Sequence, residues 1–179
     1  MIGYKFLRAD GTSVFTGFRW PLPEAGQPGS WVESTGGGKG TVAPCRSGIH
    51  ACRPADLPPW IGEVLYEVEL AGEIVEQPSK VVAGRGRLLR RIEAWNDRLR
   101  DAFTRMCADR AHEIAHGGSP LLDHWDAYVE RSVRGGPALL GFMAARIGEV
   151  RWGRSAYLAE RARQAEWLVA HLGLPGVPE

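Results

Sequence analysis

Two cysteines and a histidine crowd one short stretch, Cys45-Arg46-Ser47-Gly48-Ile49-His50-Ala51-Cys52, and no other segment concentrates so much reactive chemistry. Thiolate sulfur and imidazole nitrogen serve both as nucleophile or base and as zinc ligands, so the array is a candidate for either role. On an extended strand His50 and Cys52 project from the same face, and the Ser47-Gly48 bend can fold Cys45 back toward them. That makes Cys45, His50 and Cys52 one candidate metal set. Its C-x4-H-x-C spacing departs from the C-x2-C and H-x3-H knuckles of structural zinc sites, which need four ligands. Histidine exchanges protons near neutral pH, so His50 is the candidate catalytic residue, as acid/base or as an orienting group.

A second pattern, His112-Glu113-Ile114-Ala115-His116, spells the H-E-x-x-H of zinc hydrolases, with two imidazoles one helical turn apart and a glutamate to activate water. Its helical wheel argues against that use. With Ile114 centred on the apolar stripe, His112 and His116 fall on the opposite side with Arg98, Asp101, Arg105 and Asp109. Both are therefore expected to face solvent without metal, although Asp123, His124 and Glu130 offer a third ligand. Near a helix C-terminus, imidazolium also has a purely structural use.

Other residues could hold a ligand. Arg85 and Arg87 alternate onto one face of a strand, a seat for phosphate or carboxylate. Trp20, Trp31 and Trp60 flank loops near the array and could wall a pocket. Gly36-Gly37-Gly38-Lys39-Gly40-Thr41 lacks the Lys-Ser/Thr junction, the preceding strand and the following helix of a phosphate loop, and reads as a flexible loop that could close over such a pocket.

With its flanks, the array resembles an uncharacterised domain family of phages and actinobacteria, carried here by Cys45, Ser47, Gly48, His50, Cys52, Gly72 and Lys80. The resemblance covers about the first half of the chain and implies no reaction. Glu67-Val68-Glu69 is more loosely similar to the E-x-E of ADP-ribosyltransferase-like domains, which implies Glu67 and Glu69 as catalytic groups beside a nicotinamide pocket. The expected triads of that superfamily are absent, and on an alternating strand two such glutamates face solvent.

These candidates need elements to position them. Ile2, Tyr4 and Phe6, then Val14, Thr16, Phe18 and Trp20, alternate on either side of Asp10-Gly11 and predict a β-hairpin over residues 2 to 20. A long loop follows to about 41, with a short strand at Trp31-Val32-Glu33, and a further strand spans Ser47 to Cys52. Val64, Tyr66, Val68 and Leu70 mark the clearest strand, which Gly72 breaks before Ile74-Val75, and another begins at Lys80. Beyond about Glu93 the period turns helical. Ile92, Trp95, Leu99, Phe103, Cys107 and Ile114 form one stripe, which Gly117-Gly118 ends. Ser119-Pro120 starts a second helix, Pro137 a third, and Ser155 a fourth that stops at Gly173.

The expectation is α+β: a mainly antiparallel sheet from a β-rich half, 1–92, with about four helices from 93–179 packed against it as one integrated domain. At 179 residues, 44% hydrophobic and 24% charged, the chain can bury one substantial core. A net charge of +1 gives no strong nucleic-acid signal, and no apolar run reaches the length of a membrane span. The N-terminus lacks a signal-peptide pattern and the three cysteines suit reduced thiols, so a cytoplasmic location is expected. Three functions are compatible with the residues: a small-molecule or nucleotide pocket around His50 with Arg85, Arg87, Trp60 and Lys80 binding ligand, a non-catalytic adaptor module, and a zinc hydrolase. Zinc fits the residue types and NAD is what the ADP-ribosyltransferase-like resemblance implies, and neither is favoured.

Overall fold

The computed structural model describes residues 1–34, 42–116 and 125–176. The expectations placed on Gly36 to Thr41, on the Gly117-Gly118 stop, on the Ser119-Pro120 start and on Asp123 and His124 lie outside them. The chain is α+β, an antiparallel sheet followed by helices, and it divides into two compact units, Met1–Trp95 and Asn96–Glu179. No described helix is long and apolar enough to cross a membrane.

The first unit holds β1 (Ile2–Leu7), β2 (Val32–Glu33), β3 (Ile49–Ala51), β4 (Val64–Gln77) and β5 (Lys80–Arg91), with two 3-10 turns at Pro54–Asp56 and Pro58–Trp60. β4 and β5 form a long hairpin; β1 pairs with β4, and both β2 and β3 pair with β5. Tyr4 and Cys52 exchange backbone hydrogen bonds of 2.8 and 2.7 Å, which brings the end of β3 back to β1. The strands β1, β4, β5 and β3 thus close a circuit around an apolar centre that includes Leu7, Ile49, Val68, Leu70, Val81 and Leu88. Full burial of each such side chain contributes about 1.5–3 kcal/mol, which makes this circuit the rigid frame of the unit.

Two expectations change here. β1 pairs with β4, where a hairpin with residues 14–20 was expected: Ser13 to Arg19 forms a tight loop closed by a Thr12–Arg19 bridge, with Phe15 81% exposed, before Trp20 drops into the core. Gly72 does not break the strand. Its φ of +78° accommodates a bulge, pairing resumes at Ile74 opposite Ala83, and one 14-residue strand results.

The division between units falls after Trp95, where the sequence reading placed it after Ile92. Ile92 donates its N–H to Leu65, and the Trp95 indole donates to Gly62 at 3.0 Å and meets Phe6 edge-on, so both belong to the β-rich unit. Asn96 then caps α1 (Asp97–Ala115) by accepting from Leu99 N. α2 (Trp125–Val133), α3 (Gly136–Trp152) and α4 (Arg154–Leu172) follow, and Gly173 ends α4 with φ of +62°. Within this unit α1 runs along α3, Phe103 meets Trp167 of α4, and Gln164 donates across to the Gly141 carbonyl at 2.9 Å.

Candidate functional site

The array sits where β3 leaves its preceding turn. Ala43 to Ser47 close that turn through backbone bonds from Arg46 and Ser47 to the Ala43 carbonyl. Cys45, at its tip, has φ of +64°, a left-handed conformation that costs a non-glycine residue energy and persists only where surroundings enforce it. The enforcing contacts are at hand. The Cys45 N–H donates to His50 Nε2 at 3.4 Å, and the Lys80 ammonium donates to Cys45 Sγ at 3.1 Å.

β3 and β5 supply the register that makes this meeting. His50 lies opposite Val82, and Ile49 and Ala51 turn inward opposite Ala83 and Val81, so His50 points away from the apolar centre. Gly48, before it, passes so close to β5 that a Cβ there would lie 2.4 Å from the Val82 side chain. Lys80 opens β5, and its ammonium stands 5.5 Å from the Trp60 ring centroid. Trp60 is held in turn: its indole donates to the Ser79 carbonyl at 2.7 Å, and Phe15 packs edge-on against it. Arg53 binds Asp56 of the preceding 3-10 turn at 2.6 Å and ties that turn to the end of β4, through Glu76 at 2.9 Å and the Gln77 carbonyl at 2.7 Å.

A second lysine lies behind the array. Lys5 of β1, half-buried between Gly3 and Leu7, donates to the His50 carbonyl at 2.7 Å and stands 5.1 Å from the Trp20 ring. Loss of solvent lowers its pKa to about 8. Desolvation, then the charges of Lys80 and Lys5, lower that of His50 to about 4. The ring is therefore neutral at pH 7, and since Nε2 accepts a bond, Nδ1 carries the proton. A base so weak is poorly matched to proton transfer near neutrality, and the geometry suits His50 to orienting Cys45.

The three residues of the array have different environments. Cys45 is exposed, whereas Cys52 is buried with its thiol pushed up to about 12 by desolvation. Among the described residues, no three His, Cys, Asp or Glu side chains gather as a metal-binding group, here or at His112 and His116. At the end of α1 the capping residue His116 is exposed, but His112 is half-buried where both were expected to face solvent; their rings stack at 5.9 Å, and Glu113 is bound by Arg110 at 2.7 Å.

The remaining candidates gather elsewhere. Glu67 pairs with Arg90 at 2.6 Å and Glu69 with Arg87 at 2.7 Å, each across the β4–β5 ladder, so both carboxylates are engaged in cross-strand ion pairs. Arg85 and Arg87 flank the Trp31 ring at 4.6 and 4.7 Å. No hydrogen bond, ion pair or ring contact among the described residues links that group to the one around Cys45. The structure thus joins Cys45, His50, Lys80 and Trp60, while Glu67 is paired with Arg90, and Glu69, Arg87 and Arg85 gather at Trp31.

Compared with protein-family models, with curated proteins and with solved structures, the chain matches none. Sequence reasoning missed Lys5 and Phe15. Lys5 carried a usable signal, being one of three lysines and standing between Gly3 and Leu7 on an inward-facing strand position.

Proposed function

We propose that the β-rich unit carries a small-molecule site around His50 in which Cys45 is the nucleophile. Lys80 is the cation beside the sulfur, and His50 is the neutral ring that fixes the Cys45 backbone. The ligand class is a small activated acyl compound, an ester or thioester, seated against Trp60 and Phe15. The observation that carries the reading is the 3.1 Å contact between Lys80 Nζ and Cys45 Sγ at an exposed, conformationally strained residue. The ammonium holds the sulfur in place through a hydrogen bond. It also stands where negative charge develops on an attacked carbonyl oxygen.

The Cys45 thiolate attacks the acyl carbon, the carbon–oxygen or carbon–sulfur bond to the leaving group breaks, and an S-acyl protein forms that water or an amine then cleaves. With p-nitrophenyl acetate, an initial burst of nitrophenolate equal to the protein present is expected, followed by slower turnover. Cys45→Ala should abolish the burst, and Lys80→Met should slow it. Nitrophenolate release that is identical in Cys45→Ala and the unmodified protein would refute the assignment.

A further inference from the structure

Oxidation offers the same sulfur a second partner, and the geometry points to a covalent link: we infer that peroxide converts Cys45 and Lys80 into a sulfur–nitrogen cross-link between the turn before β3 and the start of β5. The inference deepens the proposed site and rests on its Cys45–Lys80 contact. It does not require acyl transfer.

Three observations carry it. The amine and the sulfur are 3.1 Å apart across 35 positions of sequence, a separation that needs only a small approach to become a bond. Both ends are held. Cys45 is fixed by the turn bonds around Ala43 and by His50, while Lys80 opens β5 beside Trp60, whose indole grips the Ser79 carbonyl. Finally, Cys45 is the exposed one of the chain's three cysteines: Cys52 and Cys107 are buried as free thiols. An oxidised Cys45 therefore meets an amine before it meets a thiol of its own chain.

The chemistry closes in two steps. The Cys45 thiolate attacks one oxygen of hydrogen peroxide; the O–O bond breaks, sulfur is oxidised by two electrons to a sulfenic acid, and hydroxide leaves and takes a proton to become water. Lys80 gives one proton to solvent, and its nitrogen lone pair attacks the sulfur. The S–N bond forms, the S–O bond breaks, and a second water leaves as the nitrogen sheds one more proton. Overall one peroxide is reduced to water, and the protein loses two hydrogen atoms. A thiol reductant reverses the link by attacking sulfur and releasing the lysine amine.

The test treats the intact chain with limiting hydrogen peroxide, digests it and maps peptides by mass spectrometry. The expected product joins the Cys45 and Lys80 peptides at a mass lower by two hydrogens, and dithiothreitol dissolves it. Lys80→Arg keeps the cation and removes the reactive amine. In that variant the sulfenic acid should persist, so that dimedone labels Cys45 several-fold more than in the unmodified protein. Equal dimedone labelling in both proteins, or oxidation of Cys45 to sulfinic acid with no joined peptide, would overturn the inference. A nitrophenolate burst without the cross-link overturns only the cross-link; the cross-link without a burst overturns only acyl transfer.

Discussion

Gly48→Ala is expected to cost about 3 kcal/mol of stability, combining about 1–3 kcal/mol of backbone strain with a similar overpacking term. Gly48 has φ of +130°, a region that residues with a Cβ rarely enter, and the added methyl would lie 2.4 Å from Val82 Cγ1. Val82 is fully buried opposite His50, so the clash cannot be relieved by turning a side chain into solvent. A double-mutant cycle separates the two causes. Val82→Ala in the Gly48→Ala background should recover the steric part in urea unfolding and leave the conformational part. A loss below about 1 kcal/mol for Gly48→Ala would mean that β3 does not run against β5 as described.

The second large effect is a dependence on pH. His50 has its pKa lowered from 6.5 to about 4, chiefly by desolvation and then by Lys80 and Lys5. Between those values the unfolded chain binds a proton that the folded chain refuses, so stability rises with pH across the window. It is full above pH 6.5, is lost as pH falls toward 4, and is lost completely below. The whole shift corresponds to about 3 kcal/mol, and solvent screening of a half-buried ring reduces this to about 2 kcal/mol. His50→Gln removes the titrating ring and keeps an oxygen able to accept from Cys45 N–H. Unfolding measured at pH 7 and at pH 4 should show the unmodified protein losing about 2 kcal/mol more than the variant, because carboxylate protonation is common to both. Parallel losses would contradict the described environment of His50.

Much of this arrangement was legible in advance where a signal is local. Alternation at Val64, Val68 and Leu70 identified β4, and the helical period beyond Glu93 identified the helices, because each pattern is written in neighbouring residues. Strand partners are a different matter. Ile2 to Leu7 pairs with residues 64–69, and nothing in its own alternation distinguishes that distant strand from the nearer residues 14–20, of which 14–19 instead form an exposed loop. The site shows the same division. Cys45, His50, Trp60 and Lys80 were each recognisable by residue type, yet the contact between Cys45 and Lys80 depends on the β3–β5 register and on a strained turn. Glu67 and Glu69 were recognisable as a pair, but their ion-pair partners Arg90 and Arg87 come from the facing strand. Lys5 was missed because its acceptor, the His50 carbonyl, lies 45 positions away on another strand, which nothing local to β1 announces.

The central claim is that Cys45 is a nucleophile whose reactivity is set by Lys80, and site-resolved alkylation measures it most directly. Iodoacetamide applied to the native chain at pH 7, with each cysteine peptide quantified over time, should label Cys45 first. Cys52 and Cys107 are buried with their thiols pushed up to about 12, and should react only on unfolding. In Lys80→Met, whose side chain is of similar length but uncharged, labelling of Cys45 should slow several-fold while that of unfolded protein stays unchanged. Labelling of Cys45 at the same rate in both proteins, or no faster than in the unfolded chain, would contradict the account.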